Sequence, residues 1–200
     1  MPPDFEQQSY WHTRFESEQA FEWLMPSARV MEVLEPQLQD LPRSTTILQL
    51  GLGTSDLQNH LRSSGFTNIT NLDFEPIAIE RGRQLEHQAF GDIRMEYIVA
   101  DATQLNLPSR FSLVIDKCAA DAIACGGEGA VLSMARSVAK HLAPGCIWLS
   151  LSYSPSRFRI EGLPLEVEVL TKLPIPKLKP TDPDIYHYCY ILRHKQPARP

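Results

Sequence analysis

Glycine and acidic residues follow the predicted strands of this 200-residue chain. Gly51 and Gly53 come directly after an apolar run, and Asp73 lies 20 positions beyond Gly53. Glycines at a strand end let the backbone approach a ligand closely, and the helix that follows offers free N–H groups. In nucleotide-binding βαβ units this spacing brings the acid of the second strand to the ribose hydroxyls. The pattern predicts a nucleoside-type ligand held by these three residues.

Two further strand ends carry polar groups. Asp101 follows the third predicted strand, where its carboxylate could accept a hydrogen bond from an adenine amino group, although aspartate after a strand also commonly forms a turn. The pair Asp116-Lys117 ends the fourth. Ligands of open α/β sheets bind outside the carboxyl ends of the strands, so we expect both strand ends to face the same crevice.

The glycine turn itself argues against a dinucleotide. It reads Gly51-Leu52-Gly53-Thr54-Ser55-Asp56, and Asp56 stands where a dinucleotide fingerprint has its third glycine or alanine. A pyrophosphate would meet a carboxylate there, which disfavours NAD, FAD and an NAD-dependent reductase. S-adenosylmethionine (SAM) has no diphosphate, and its amino-acid tail needs amide donors and an acceptor for its ammonium. We therefore expect SAM as the cofactor and S-adenosylhomocysteine as its product.

Strands and helices alternate along the part of the chain that carries these residues. The predicted strands span residues 46–50, 69–73, 95–100, 111–116 and 146–152, and the predicted helices span 56–63, 76–90 and an apolar stripe from 131 to 142. Thr54 or Ser55 is expected to cap the first of these helices, and Pro144-Gly145 to stop the last. This alternation predicts a mainly parallel sheet that is covered on both faces.

The two ends of the chain do not show this alternation of strands and helices. Residues 165–173 and 186–192 are predicted strands with a proline-rich connection and no helix between them, so they should pair as an antiparallel hairpin. Large side chains from Tyr10 to Leu38 have helical spacing. The predicted fold is a Rossmann-like, doubly wound α/β sheet of seven strands, five of them parallel and two in a C-terminal hairpin.

Composition limits the classes of partner. With 43% hydrophobic residues and a formal charge of -5, the chain is expected to be one domain, residues 1–200, without attraction to nucleic acid. Its longest apolar runs are strand-sized, well short of the roughly 20 residues that span a bilayer, so no membrane association is expected. Its 4 cysteines form no C-x-x-C pair, so a zinc site or a disulfide framework is not expected, and reduced thiols suit the cytosol or nucleus.

Several of these segments occur together in one known group of enzymes. Tyr10-Trp11, Phe21-Glu22-Trp23, the glycine turn, residues 68–74 and Asp116-Lys117 follow one another in the same order. The set resembles the methyltransferase-like, seven-strand lysine methyltransferases that modify translation elongation factor 1-alpha. The likeness runs from about Tyr10 to His194 and includes the closing strand at residues 188–192.

The resemblance implies a function and a set of site residues. It implies SAM-dependent methylation of a protein lysine in the cytoplasm, with elongation factor 1-alpha as a candidate partner, and an N-terminal helical segment, residues 1–40, that covers the cofactor. The cofactor-binding residues that it implies, beside Gly53, are Trp11, Phe15, Trp23, Gly51, Asp73, Phe74, Asp101, Ala102 and Lys117. For the three aromatic residues the alternative is a stripe that faces the core, and for Lys117 a side chain that only reaches outward from a strand end.

The chain also departs from the group's pattern. Leu52 replaces the usual small residue between the glycines, and Cys118-Ala119-Ala120 replaces Gly-Thr-Leu, so the acceptor could differ from that of the lysine methyltransferases. A small-molecule methyltransferase of secondary metabolism and a non-catalytic SAM-fold interaction module stay open as alternatives. The acidic surface and the absence of an obvious lid insertion favour a protein acceptor. Asp121 and Tyr153 are candidate acceptor contacts, and no residue is predicted to be catalytic.

Overall fold

The computed structural model describes residues 4–18 and 20–196; the remaining residues of the predicted domain 1–200 and of the segment 1–40 lie outside this description. The helices are α1 (Gln8–Ser17), α2 (Ser27–Leu38), α3 (Leu57–Ser63), α4 (Pro76–Phe90), α5 (Ala119–Ile123) and α6 (Glu128–His141). The strands are β1 (Ile47–Leu50), β2 (Ile69–Asp73), β3 (Glu96–Val99), β4 (Phe111–Lys117), β5 (Leu142–Ser152), β6 (Leu165–Pro174) and β7 (Tyr186–His194).

All seven strands belong to one sheet, in the order β3-β2-β1-β4-β5-β7-β6. The strands β1 to β5 are parallel to their neighbours, whereas β7 is antiparallel to both β5 and β6. The predicted arrangement of five parallel strands and a terminal hairpin is confirmed. The strand order reverses between β1 and β4, so the crevice beyond the carboxyl ends of these two strands is where such a sheet binds ligands.

Helices cover both faces of the sheet, as the alternation predicted. On one face α2, α3 and α4 pack through Val30, Leu34, Leu57 and Ile79 on sheet residues such as Ile115. On the other face α6 packs through Val131, Met134 and Val138 against Leu48, Val114 and Trp148. Because side chains alternate along each strand, β1, β2, β4 and β5 each contribute to both layers.

The boundary between α6 and β5 differs from the prediction. The helix ends at His141, and β5 begins at Leu142, so Pro144 and Gly145 lie inside the strand instead of ending the helix. Leu142 is fully buried opposite Phe111, which favours the strand over one more helical residue. The register of β4 and β5 shifts between Phe111 and Leu113, and Gly145 has a φ of 77°, as expected of a bulge.

The N-terminal region is also more divided than its helical spacing predicted. Instead of one region from Tyr10 to Leu38, α1 and α2 are separate helices joined by residues 18–26. Leu24 has a φ of 65° and Pro26 precedes α2, and neither conformation continues a helix. None of the helices in the described ranges is long and apolar enough to cross a membrane.

Candidate functional site

The glycine turn after β1 is held in a conformation that needs glycine. Gly51 has a φ of 64° and Gly53 a φ of 57°, both in the left-handed region. A Cβ atom on Gly51 would lie 2.6 Å from the Cβ atom of Ala119, the first residue of α5. The turn therefore sits directly against the chain that leaves β4, which brings the carboxyl ends of β1 and β4 together.

Asp73, at the end of β2, binds this turn. Its Oδ2 accepts a hydrogen bond of 2.9 Å from the Gly53 N–H, and its Oδ1 accepts one of 2.9 Å from the Glu75 N–H. Burial raises the pKa of Asp73 to about 6, although the N–H donors act in the opposite direction. The two residues, which are 20 positions apart in the sequence, are therefore in direct contact.

Two buried oxygens beside this contact have no partner within the described ranges. They are Ser55 Oγ, in the glycine turn, and Glu75 Oε2, just after β2. Buried polar atoms usually have a hydrogen-bond partner, so both can bind a polar ligand in the crevice. A nucleoside with hydroxyl, amino and carboxylate groups suits this set of free acceptors and donors.

The predicted cap of α3 is wrong. The N-cap residue is Asp56, which makes no side-chain cap hydrogen bond, and Ser55 Oγ is unpartnered. Thr54 is engaged elsewhere: its Oγ1 donates a hydrogen bond of 2.7 Å to Glu18 and accepts one of 3.1 Å from the Phe21 N–H. The threonine therefore ties the glycine turn to the N-terminal chain rather than capping the helix.

Residues 8–18 and 20–26, which we call the cover segment, cross the carboxyl ends of the strands. Beyond β2, Gln8 Nε2 donates a hydrogen bond of 2.7 Å to the carbonyl of Phe74, and His12 Nδ1 lies 3.0 Å from Glu75 Oε1. This contact raises the pKa of His12. Beyond β4, Lys117 forms an ion pair with Glu22. With the Thr54 contacts, the cover segment is joined to the ends of β1, β2 and β4.

The three predicted aromatic residues lie in one cluster within this segment. The ring of Trp11 is 5.3 Å from that of Phe15 and 6.0 Å from that of Trp23. The Arg14 guanidinium lies 4.8 Å from the Trp23 ring. Phe15 is buried, as a core-facing stripe would be, whereas Trp11 and Trp23 stay half-buried above the strand ends.

Asp101, at the end of β3, is occupied by its own turn. Its carboxylate accepts hydrogen bonds from the Thr103 N–H at 2.8 Å and from Gln104 Nε2 at 2.9 Å, and it caps a short helical turn at residues 102–104. Burial acts to raise its pKa, but these donors outweigh burial and lower it. The Ala100 N–H donates a hydrogen bond of 2.9 Å to the Asp73 carbonyl, which places Asp101 and Ala102 close in space to the end of β2. Contact of Asp101 with adenine stays a prediction.

A second buried cluster lies on the β5 side of the crevice, around Asp121 of α5. Asp121 Oδ1 accepts hydrogen bonds from Ser152 Oγ at 2.5 Å and from Arg157 Nε at 2.7 Å, and Oδ2 accepts one from the Tyr153 N–H at 3.0 Å. Tyr153 is 55% exposed, with the Arg157 guanidinium 5.4 Å from its ring. Arg157 was not predicted from the sequence, because it lies in a loop 36 positions after Asp121.

Strained backbone occurs on both sides of the crevice. In the described residues other than glycine, positive φ angles occur at Leu24 of the cover segment and at Cys118, which has a φ of 72°. Cys118 stands between Lys117 and α5, and its thiol is 3.5 Å from Asp121 Oδ2. Burial and the neighbouring carboxylate raise the pKa of this thiol, so it stays protonated. Such strain concentrates at functional sites.

Comparison with known proteins identifies the group to which this architecture belongs. The chain is 56% identical to Methyltransferase srdJ of Neurospora crassa over 199 residues, 96% of this chain and 85% of that protein. It is 33% identical to the eEF1A lysine and N-terminal methyltransferase homolog of Drosophila melanogaster over 62% of this chain, which spans only 18% of that protein. No family model matches the chain.

Solved structures of methyltransferases have the same fold as this chain. The N-methyltransferase NodS from Bradyrhizobium japonicum, in complex with S-adenosylhomocysteine, superposes with a TM-score of 0.70 at 15% identity, covering 93% of this chain and 99% of NodS. The glycine turn, the acid that binds it and the antiparallel hairpin are thus set in a sheet of known type. Because the 56% identity extends along nearly the whole chain, this protein belongs to the SAM-dependent methyltransferases.

Proposed function

We propose that the crevice between the glycine turn and the cover segment holds SAM. The observation that carries this proposal is the contact between Asp73 and the Gly53 N–H, with the unpartnered oxygens of Ser55 and Glu75 beside it. The carboxylate of Asp73 would accept the ribose hydroxyl protons. The aromatic rings of Trp11 and Trp23, with Phe15, would close the site from above.

The other predicted residues have related roles in this proposal. Gly51 and Gly53 let the backbone approach the amino-acid tail of the cofactor, while Phe74, Asp101 and Ala102 line the adenosine end. Lys117, paired with Glu22, holds the cover segment beside the reacting methyl group. The whole of residues 1–200 then forms one domain, in which residues 1–40 cover the cofactor.

The chemistry needs alignment more than acid–base groups. Bound SAM supplies a methyl group on a positively charged sulfur, which an aligned nucleophile can displace in line. The protein must orient the acceptor and exclude water, and positioning of this kind lowers a barrier by several kcal/mol, about 7–11 in the best oriented systems. The cover segment and the buried cluster around Asp121 enclose the region from two sides.

We further propose that the acceptor is a lysine side chain of another protein, with elongation factor 1-alpha as the first candidate. Tyr153 is 55% exposed at the end of β5, and the β6–β7 hairpin extends past it to Pro174 and Tyr186, so this edge can contact a large partner. The formal charge of -5 suits a basic protein. Methylation of a translation factor would place the reaction in the cytoplasm.

A small-molecule acceptor is the second candidate, because two observations favour it. The Asp121 carboxylate is saturated by Ser152, Tyr153 and Arg157, so it is not free to receive a lysine ammonium. Cys118 also places a side chain where the lysine methyltransferases have glycine. Both features favour an acceptor that is neutral and narrower than a lysine on a protein surface.

One labelling experiment separates the two candidates. The purified protein would be incubated with methyl-labelled SAM and an extract of Neurospora crassa, and the extract then separated into protein and small-molecule fractions. Label in the elongation factor 1-alpha band supports the protein acceptor, and label among the small molecules supports the second candidate. The same incubation without the purified protein serves as the control, since label that appears there comes from other enzymes.

A further inference from the structure

His187 is a half-buried histidine that the roles proposed above leave unused. It lies near the start of β7, opposite Leu173 of β6 and next to Tyr188, which pairs with Ser152 at the end of β5. Within residues 4–18 and 20–196, neither ring nitrogen of His187 has a hydrogen-bond partner or an ion pair. Both ring nitrogens are therefore free to bond to water or to a ligand.

Strand register places His187 beside the end of β5, the edge at which an acceptor is proposed to approach. Alternation along β7 puts His187 on the same face as Cys189 and Ile191, which belong to the core layer that contains Leu151. Leu24 of the cover segment and Leu173 pack on this same layer. His187 is therefore at the upper rim of this layer, where the cover segment, the end of β5 and the hairpin meet.

The charged groups around His187 leave its imidazole neutral. Asp121 of α5 faces it but is paired with Arg157, and Lys117 at the end of β4 is paired with Glu22; Lys172 of β6 is exposed. Burial lowers the pKa of His187 below 6.5, and the carboxylate of Asp121, which acts in the opposite direction, does not cancel this effect. At neutral pH the ring can therefore accept a proton.

We propose that His187 is the proton acceptor for the group that receives the methyl, an inference that rests on the proposed methyl transfer. Methyl transfer forms a bond between the acceptor atom and the methyl carbon and breaks the carbon–sulfur bond, whose electron pair stays on sulfur. The acceptor atom loses one proton to a nitrogen of His187, and the imidazolium then releases that proton to water. The same balance holds for a lysine nitrogen and for a hydroxyl acceptor.

The test compares His187→Gln with His87→Gln, a matched change on the exposed surface of α4. The rate is the total label transferred from methyl-labelled SAM into the Neurospora crassa extract, with both fractions summed, so it does not depend on the acceptor class. For His187→Gln we expect kcat to fall by about 100-fold to 10,000-fold, the usual contribution of a general base. We also expect the acid limb of the pH profile to disappear and added imidazole to restore part of the rate to His187→Ala.

Affinity for S-adenosylhomocysteine, measured by calorimetry, should be the same in all of these proteins, which separates a proton-transfer role from misfolding. A His187→Gln enzyme with wild-type kcat and an unchanged pH profile would overturn the assignment. If the wild-type protein transfers no label, the proposed function fails and the role of His187 fails with it; a labelling wild type whose His187→Gln variant labels equally fast overturns the role of His187 alone.

Discussion

At the scale of single residues, Asp73 connects cofactor binding to pH. Only its ionised form can accept both ribose hydroxyl protons, and burial raises its pKa to about 6. We therefore expect the affinity for SAM to fall as the pH is lowered through about 6. Calorimetric titration with SAM at several pH values would measure this, and release of the cofactor should be accompanied by proton uptake. An affinity that is constant down to about pH 5 would contradict this role of Asp73.

Loss of binding in this range should not reflect unfolding. Asp73 and Asp116 both have a pKa of about 6 in the folded chain, above the ordinary value of 3.8. Burial is the main cause for each, although hydrogen-bond donors such as the indole of Trp148 act against it for Asp116. The folded state therefore binds more protons than the unfolded state between these values, so protonation of the two groups favours the fold. A circular dichroism spectrum at each pH is the control.

The strained backbone at Cys118 leads to a prediction about the stability of the fold. Its φ of 72° is unfavourable for a residue with a Cβ atom, by about 1–2 kcal/mol, whereas glycine adopts this angle freely. We expect Cys118→Gly to raise the free energy of unfolding by about 0.5–1 kcal/mol, less than the strain because glycine is more flexible when unfolded. Urea denaturation measures the change.

The matched control for this substitution is Cys125→Gly. Cys125 lies in a helical turn at residues 124–126 and does not have a positive φ, so glycine there should destabilise the fold by about 0.5–1 kcal/mol. If both variants lost the same stability, the strain at Cys118 would have no energetic consequence.

At the scale of elements, the cover segment is held by the ion pair between Glu22 and Lys117. The Lys117 side chain is only 6% exposed, so removing its anion leaves a buried charge without a partner. We expect Glu22→Gln to loosen the cover segment, to speed its hydrogen exchange and to shorten the residence of S-adenosylhomocysteine. Stopped-flow displacement of this ligand gives the dissociation rate.

Glu32→Gln is the control for this variant, because Glu32 pairs with Arg29 on α2 where both side chains are exposed. An exposed pair contributes little, so this change should leave the dissociation rate unaltered. Equal rates for Glu22→Gln and the wild-type chain would show that the ion pair does not hold the cover segment closed.

The elements differ in how well the sequence predicts them. β2 and α4 have the predicted bounds. β2 continues the alternation of strands and helices, and Pro76 at the first helical turn and Gly91 after the last mark the ends of α4. The start of β5 was missed, since Leu142 suits both a helical stripe and a strand, and only its pairing with Phe111 decides between them.

The contacts of the candidate site also differ in how well the sequence predicts them. That Gly53 and Asp73 lie together at one sheet edge could be predicted, because both belong to one βαβ unit, but the hydrogen bond between them was not predicted. The cover contacts could be anticipated only through family resemblance, since Gln8 bonds to a residue 66 positions away and Lys117 to one 95 positions away. Arg157 and His187 carried no sequence signal, because their positions depend on a loop and on strand register.

At the scale of the whole molecule, the sheet order explains where the proposed site lies. The reversal between β1 and β4 opens one crevice, the cover segment crosses it, and the antiparallel hairpin extends the sheet on the side where an acceptor would approach. Cofactor and acceptor therefore meet at one edge, above the switch point. The account depends on the cofactor occupying the Asp73 side of this edge.

The most direct test of that claim is calorimetric titration of the wild-type chain and of Asp73→Asn with S-adenosylhomocysteine. We expect one binding site per wild-type chain and, for Asp73→Asn, an affinity about 10-fold to 100-fold weaker, because hydrogen bonds to a charged acceptor contribute about 1.5–3 kcal/mol. NAD should give no binding heat, since Asp56 stands where a pyrophosphate would lie. Equal affinities for the two chains, or no binding at all, would contradict the account.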